Sequence, residues 1–261
     1  DNPLTKLADK AKLKRIETTY DASVLHIDPQ LRKRGVTSAH SARWEKVIAS
    51  ALKQSWKRDT DESMQAALDR VIAPMALDES ERAQLGFALN GSYLTEWGAD
   101  PSELSSFTID DGKSFAEEGV DTLFPGGYVE LVKWLGRGIR VETGFEVTRI
   151  SVGADGVTVS GARGQRKASA AIITLPLGVL KSGRVEVLPG LPSPMASAID
   201  TLDMGVLSKS FFRFEKAFWP SNIDWHEYLG AQPGRWGQWV SFAKAGAPVL
   251  LGFNGGSAGR E

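Results

Sequence analysis

Apolar positions recur with a helical period across 38–58. Trp44, Val47, Ile48, Ala51, Leu52 and Trp56 fall at i, i+3, i+4, i+7, i+8 and i+12 and make one stripe. A second stripe, Met64, Leu68, Val71, Ile72 and Met75, predicts a helix that stops near Pro74. Asp78 followed by Glu81 has the spacing of a capping box and opens a third helix, continued by Leu85, Ala88, Leu89 and Tyr93. These stripes are read as core packing. Ahead of them, Asn2-Pro3 reads as an N-cap followed by proline at the first helical position, with Leu4, Leu7 and Leu13 on one side. The stretch 18–27 is a strand pair or an extended connector.

The second half changes period. Gly126-Gly127-Tyr128 opens a helix through Leu131, Val132 and Leu135, which Gly136 and Gly138 end. Strands are predicted at 140–142, 145–152, 157–160 and 167–174, with Asp155-Gly156 as a hairpin turn. The run Ala171-Ile172-Ile173-Thr174 has the pattern of a strand buried on both faces, ended by Leu175-Pro176. Pro189, Pro192 and Pro194 mark an extended loop before a short helix at 195–202. From Lys209 to Phe214 the chain alternates. Lys209, Phe211 and Arg213 share one face, and Ser210, Phe212 and Phe214 the other. An aromatic region follows the corner Phe218-Trp219-Pro220. In it, Trp225, His226, Tyr228, Trp236 and Trp239 either fill a sheet core or wall a cavity that attracts an ammonium through its rings. Val249 to Phe253 is a last strand.

Composition narrows the choices. With 261 residues the chain suffices for one large or two ordinary domains, and 42% hydrophobic content is that of a globular protein. Lys+Arg 31 against Asp+Glu 32 leaves a net charge of -1, which argues against a nucleic-acid partner held by phosphate neutralisation. No cysteine is present, so disulfides, thiolate metal sites and thiol nucleophiles are excluded. Three widely spaced histidines, His26, His40 and His226, make no metal-binding pattern. No apolar run approaches the ~20 residues of a membrane span. The chain opens Asp1-Asn2-Pro3 without a signal-peptide pattern, and a cytoplasmic location is expected although the native N-terminus is not visible.

Two glycine patterns bear on function. Gly255-Gly256-Ser257-Ala258-Gly259 matches the G-x-S-x-G of a nucleophile elbow, but the acid and histidine that should follow are missing, so it reads as a small-residue loop. No G-x-G-x-x-G occurs; Gly136-Arg137-Gly138 lacks its third glycine.

Several pieces in order resemble one family: Thr174-Leu175-Pro176-Leu177-Gly178-Val179-Leu180-Lys181, then Leu191-Pro192, Ala198-Ile199, Met204-Gly205 with Lys209, and Phe218-Trp219-Pro220. Upstream, Phe124-Pro125-Gly126-Gly127-Tyr128 and Val147-Thr148-Arg149-Ile150 continue the match. The family is the flavin-dependent amine oxidases, which include polyamine oxidases, monoamine oxidases and lysine-specific histone demethylases. The resemblance covers roughly half of the chain well and the first ~100 residues loosely.

The resemblance implies an α+β fold. Residues 1–115 would form the helical part of a substrate domain, 116–203 a helix and β-meander from the middle of the FAD-binding domain, and 204–261 the sheet part of the substrate domain. It implies FAD, with the pyrophosphate-binding fingerprint upstream of this chain and a further flavin-binding segment beyond Glu261. This chain alone is therefore expected to hold FAD weakly. Lys209 would be the catalytic lysine that holds a water against the flavin. Glu96 and Trp97 would line the substrate tunnel, the carboxylate holding a substrate ammonium by a charge-assisted hydrogen bond. The Val147 backbone would contact the adenine, and Thr174 and Pro176 would lie near the flavin. The partners implied are a small-molecule amine and oxygen, with no nucleic acid, no membrane span and no metal; a homodimer is allowed. The reaction implied is oxidation of an amine to an imine with release of hydrogen peroxide. The alternatives are a non-enzymatic binding or assembly module that keeps the substrate-domain fold, and another two-domain flavoprotein such as a phytoene desaturase relative.

Overall fold

The computed structural model describes residues 3–38, 41–58, 61–107, 109, 121–232 and 234–261. The expected cap Asn2 and the histidine His40 lie outside them. The described chain divides into two compact units, one of Asp1–Leu135 with Gly205–Glu261 and one of Gly136–Met204. The class is mixed α and β, as expected.

In the first unit the apolar stripes fold as helices with local stop and start chemistry. They follow α1 (Pro3–Lys10), β1 (Ile16–Thr18), β2 (Ser23–Ile27) and α2 (Pro29–Lys33). Then come α3 (Ser41–Trp56), α4 (Met64–Ile72) and α5 (Glu79–Leu89). Ser63 caps α4, its hydroxyl accepting from the Ala66 N–H at 3.2 Å. The capping box on α5 is reciprocal: the Asp78 carboxylate accepts from the Glu81 N–H at 2.8 Å, and the Glu81 carboxylate accepts from the Asp78 N–H at 3.3 Å. Trp44, Ile48, Leu52, Met64 and Leu68 are buried together with Leu85 and Ala88. The Trp44 indole N–H, which cannot be left bare in a core, donates to Gln84 Oε1 at 3.2 Å. Trp56, the last member of the first stripe, stays partly exposed and donates instead to the Ser106 carbonyl.

The other side of α5 faces a sheet. Ala83 and Phe87 pack with Leu31, Val36, Leu25, Ile27 and Leu229. Before the sheet is complete the chain adds α6 (Thr95–Trp97), β3 (Asp121–Leu123), which pairs with β1, and α7 (Val129–Leu135). The sheet is mixed. Its order is β2, β9 (Trp225–Leu229), β10 (Gln238–Ser241), β11 (Val249–Gly255), β8 (Leu207–Arg213), with β2 parallel to β9 and the other pairs antiparallel. The final helix, α10 (Gly256–Arg260), follows β11 directly.

The second unit holds the four-stranded sheet β6 (Gly164–Ala168), β5 (Gly156–Gly161), β4 (Val147–Gly153), β7 (Glu186–Leu188), with α8 (Leu177–Lys181) and α9 (Ser193–Thr201). The β4–β5 hairpin closes on the pair Gly153↔Gly156, so Ala154-Asp155 makes the turn, one residue earlier than expected. Gly156, at φ +114°, takes the backbone angle that a side chain resists. Two strand expectations fail here. Residues 140–142 are not a strand, and the last predicted strand stops at Ala168. The run 171–174 is irregular and exposed, Ile172 at 92%. Apolar side chains favour burial, but a strand exists only when a neighbouring backbone pairs with it, and none does among the described residues.

Close backbone approach joins helix to sheet in the first unit. The segment from Leu94 to Gly98 lies on the ends of β11 and β8. A Cβ on Gly255 would stand 1.8 Å from the Leu94 carbonyl oxygen, and one on Gly205 would stand 2.3 Å from that of Trp97. Gly255 has φ −99°, open to any residue, so the demand there is for space alone. Gly255→Ala is therefore expected to destabilise the chain by roughly 3 kcal/mol or more. Urea denaturation of the variant against the parent checks this; an unchanged midpoint would mean that the helix end is free to lift.

Candidate functional site

Strand β8 carries Lys209, and its position follows from the same approach. Gly98, at φ +64°, ends α6, and its carbonyl accepts from the Val206 N–H at 2.5 Å. The Glu96-Trp97 segment thus abuts the start of the strand that presents Lys209. Both Glu96 and Trp97 are exposed.

Cross-strand register sets what surrounds Lys209. Leu25, Glu227, Gln238, Phe253 and Lys209 lie opposite one another across all five strands, on one face of the sheet. The Lys209 ammonium stands 5.7 Å from the Phe253 ring centroid, within cation–π range. Phe253 stacks on Trp225 at 6.2 Å, and Trp225 on Tyr20 at 4.3 Å. This aromatic column, absent from the sequence-based expectation, begins at an exposed cation. It ends in a negative field. Burial, and after it Asp121, Glu96 and Glu227, push the Tyr20 phenol above its ordinary value. Glu227 is itself pushed up by burial and by Glu45. Glu96 and Glu227, distant in sequence, therefore act on the same phenol.

Strand alternation divides the aromatic region. Trp225 joins the column on the Lys209 face. His226, Tyr228, Trp236 and Trp239 point to the other side, where with Phe212 and Trp219 they wall a cavity of about 960 Å³. Of the five aromatics read as either sheet core or cavity wall, four line this cavity, on the sheet face opposite Lys209. Trp239 stacks on Trp236 at 5.4 Å and lies over Gly252, where a Cβ would meet its ring at 2.7 Å. His26 Nε2 and His226 Nδ1 are 3.2 Å apart, so one imidazole donates and the other accepts.

The flavin residues expected from the sequence belong to the second unit. Val147 begins β4, half-buried, with a bulge between it and Arg149. Thr174 is exposed in irregular chain, and Pro176, also exposed, precedes the first turn of α8. The G-x-S-x-G match is structural. The Ser257 N–H and hydroxyl both bond Asp100 at 3.1 Å, fixing the start of α10. Among the described residues no group of three His, Cys, Asp or Glu is placed to hold a metal, and no helix is long and apolar enough to cross a membrane.

The fold is that of a flavin amine oxidase. A putrescine oxidase bound to putrescine superposes with TM-score 0.66 at 15% identity, over 98% of this chain and 62% of that one. The chain belongs to the family of flavin containing amine oxidoreductases, whose model matches residues 5–261. Among its relatives, it is 29% identical to lysine-specific histone demethylase 1 homolog 1 of Oryza sativa subsp. japonica, over 99% of this chain and 30% of that protein. It is 27% identical to polyamine oxidase 4 of the same organism, over 100% of this chain and 56% of that protein. The chain thus spans from 30% to 56% of these relatives' lengths.

Burial and the neighbouring His26 hold the His226 imidazole below its ordinary value. The unfolded chain takes up that proton near pH ~6.5, before the folded one does. Stability from this group is complete above that pH and is lost as pH falls through the lower folded-state value. The thermal midpoint is expected to drop between pH 7.5 and pH 5.5, and His226→Gln to shrink the drop. Calorimetry at both values checks it, and an equal drop in the variant would remove His226 as a source.

Proposed function

We propose that this chain supplies the substrate-binding sheet and helices, residues 1–115 and 204–261, and the middle flavin-domain segment, 116–203, of an FAD-dependent amine oxidase. Its substrate is a polyamine or another primary or secondary amine. The observation that carries the reading is the Lys209 face: an exposed ammonium and an aromatic column that runs to Tyr20, whose phenol is pushed up by burial and by Asp121, Glu96 and Glu227. Family membership supports the cofactor. When bound, the flavin accepts two electrons as the amine C–N bond becomes C=N, and dioxygen takes those electrons to leave as hydrogen peroxide.

The residues present fit the ring end of that cofactor. Lys209 is exposed and makes no ion pair among the described residues, and a fixed ammonium suits a ring system that gains negative charge. They do not provide the pyrophosphate end, because the glycine fingerprint is not in this sequence. In this reading the Val147 backbone, Thr174 and Pro176 contact the cofactor. Tyr20, Trp225 and Phe253 present rings to the substrate. They disfavour a proton on the reacting nitrogen, which must be neutral to give up its electrons. Glu96, with Glu227 and Asp121 adding to the field, holds a second, charged nitrogen.

Two variants of the full-length protein test this. For Glu96→Gln, transition-state binding of a linear diamine should weaken by roughly 1.5–3 kcal/mol more than that of a monoamine of equal length. Steady-state kinetics with both amines decide the point, and equal losses would remove Glu96 from substrate recognition. For Lys209→Met, the oxygen-dependent return of flavin colour should slow on the order of 100-fold, with amine affinity little changed. Rapid mixing at several oxygen concentrations measures it; an unaltered rate constant would place Lys209 away from the reaction.

A further inference from the structure

The helix that carries Glu96 and Trp97 is not a simple continuation of α5. Between Leu89 and Thr95 the chain makes one π turn, Asn90–Leu94, before α6 resumes. Such a turn holds one residue more than an α turn, so residues beyond it are rotated by about 100° from where a continuous α-helix would put them. Leu94 and Thr95 are thereby buried, and Glu96 and Trp97 exposed. A wide turn is held open only where other bonds stabilise it.

Those bonds come from Thr95 and from strand β10. The Thr95 N–H donates to the Asn90 carbonyl, the bond that defines the turn. The Thr95 hydroxyl lies 2.9 Å from that same carbonyl and 2.8 Å from Gln238 Oε1, so its single proton is shared between two acceptors. Gln238 Nε2 reaches back to the Gly91 carbonyl at 3.4 Å. Asn90, fully buried, donates through Nδ2 to the Gly234 carbonyl at 2.9 Å. Gln238 is buried as well, so it offers nothing to a ligand. Yet it sits directly opposite Phe253, the ring beneath Lys209. One amide thus joins the π turn to the row of residues that presents the lysine.

We propose that Thr95 and Gln238 are positioning residues. By holding the π turn to β10, they fix the direction in which Glu96 meets the charged end of a diamine. The assignment rests on the proposed role of Glu96 and adds the device that aims it. A merely structural bond would affect stability alone. A positioning bond affects the KM of the one substrate that uses Glu96.

The test uses the full-length, flavin-loaded enzyme with a linear diamine and the monoamine of equal length. Thr95→Val keeps the shape and removes the shared proton. It should raise the diamine KM about 10-fold, the loss of one weakened charge-assisted bond, and leave kcat and the monoamine KM within about two-fold. Thr95→Ser should restore the diamine KM. Amide hydrogen exchange at 91–97 should quicken in Thr95→Val and not in Thr95→Ser. Gln238→Met should repeat the pattern and serves if Thr95→Val does not fold. Glu96→Gln runs beside them. A raised diamine KM in Glu96→Gln with no change in Thr95→Val and Gln238→Met would overturn the inference and leave Glu96 in place. An unchanged diamine KM in Glu96→Gln would remove Glu96 and this inference together.

Discussion

The first unit depends on one close approach, the backbone of 94–98 laid on the ends of β11 and β8. Helix ends usually meet a sheet through side chains, which keep the two backbones well apart. Here Gly255 and Gly205 carry no side chain where the Leu94 and Trp97 carbonyls arrive, and Gly98 turns left-handed to hand its carbonyl to Val206. Two consequences follow. The helical subdomain cannot slide along the sheet, because its register is set by backbone contacts that tolerate no added atom. The exposed pair Glu96 and Trp97 is fixed against the strand that bears Lys209, although more than a hundred residues separate them in sequence.

The sheet then distributes its aromatics by alternation. Trp225 and His226 are neighbours in sequence and face opposite ways. One becomes part of a stack that ends at an ammonium; the other enters a histidine pair beside an apolar cavity. The same logic explains Gly252. It lies beneath Trp239, where any side chain would collide with the indole, and it opens the space in which Trp236 and Trp239 stack.

Local chemistry was the legible part of the sequence. The capping box of Asp78 and Glu81 needs only residues three apart, and the stripe through Trp44 and Ile48 needs only a helical period. Both form as read. The run at 171–174 was misread because hydrophobicity reports a wish for burial and says nothing of a pairing partner. Lys209 stands out in the sequence through its motif alone, and the alternation of its strand is visible there. The stack of Phe253, Trp225 and Tyr20 is not legible there, because it is set by register between strands that no short window contains. The π turn was hidden for a related reason. Its extra residue is stabilised by Gln238, 143 positions away from Thr95, and a sequence window around Asn90 shows an ordinary helix.

The charges on the Lys209 face are kept apart by the register of the sheet. The Lys209 ammonium on β8 and the Glu227 carboxylate on β9 lie on one face of one sheet, and at short range they would neutralise each other by forming a salt bridge. They do not, because Phe253 and Gln238 occupy the two strands between them, and Lys209 rests on the Phe253 ring. Flat rings packed in a stack resist compression and give neither charge a path to the other. The separation leaves both groups outside any ion pair among the described residues. Placed on adjacent strands, the same two charges would close into an ion pair worth about 1 kcal/mol. Polarity along this face is thus a property of the stack and of the strand register that builds it.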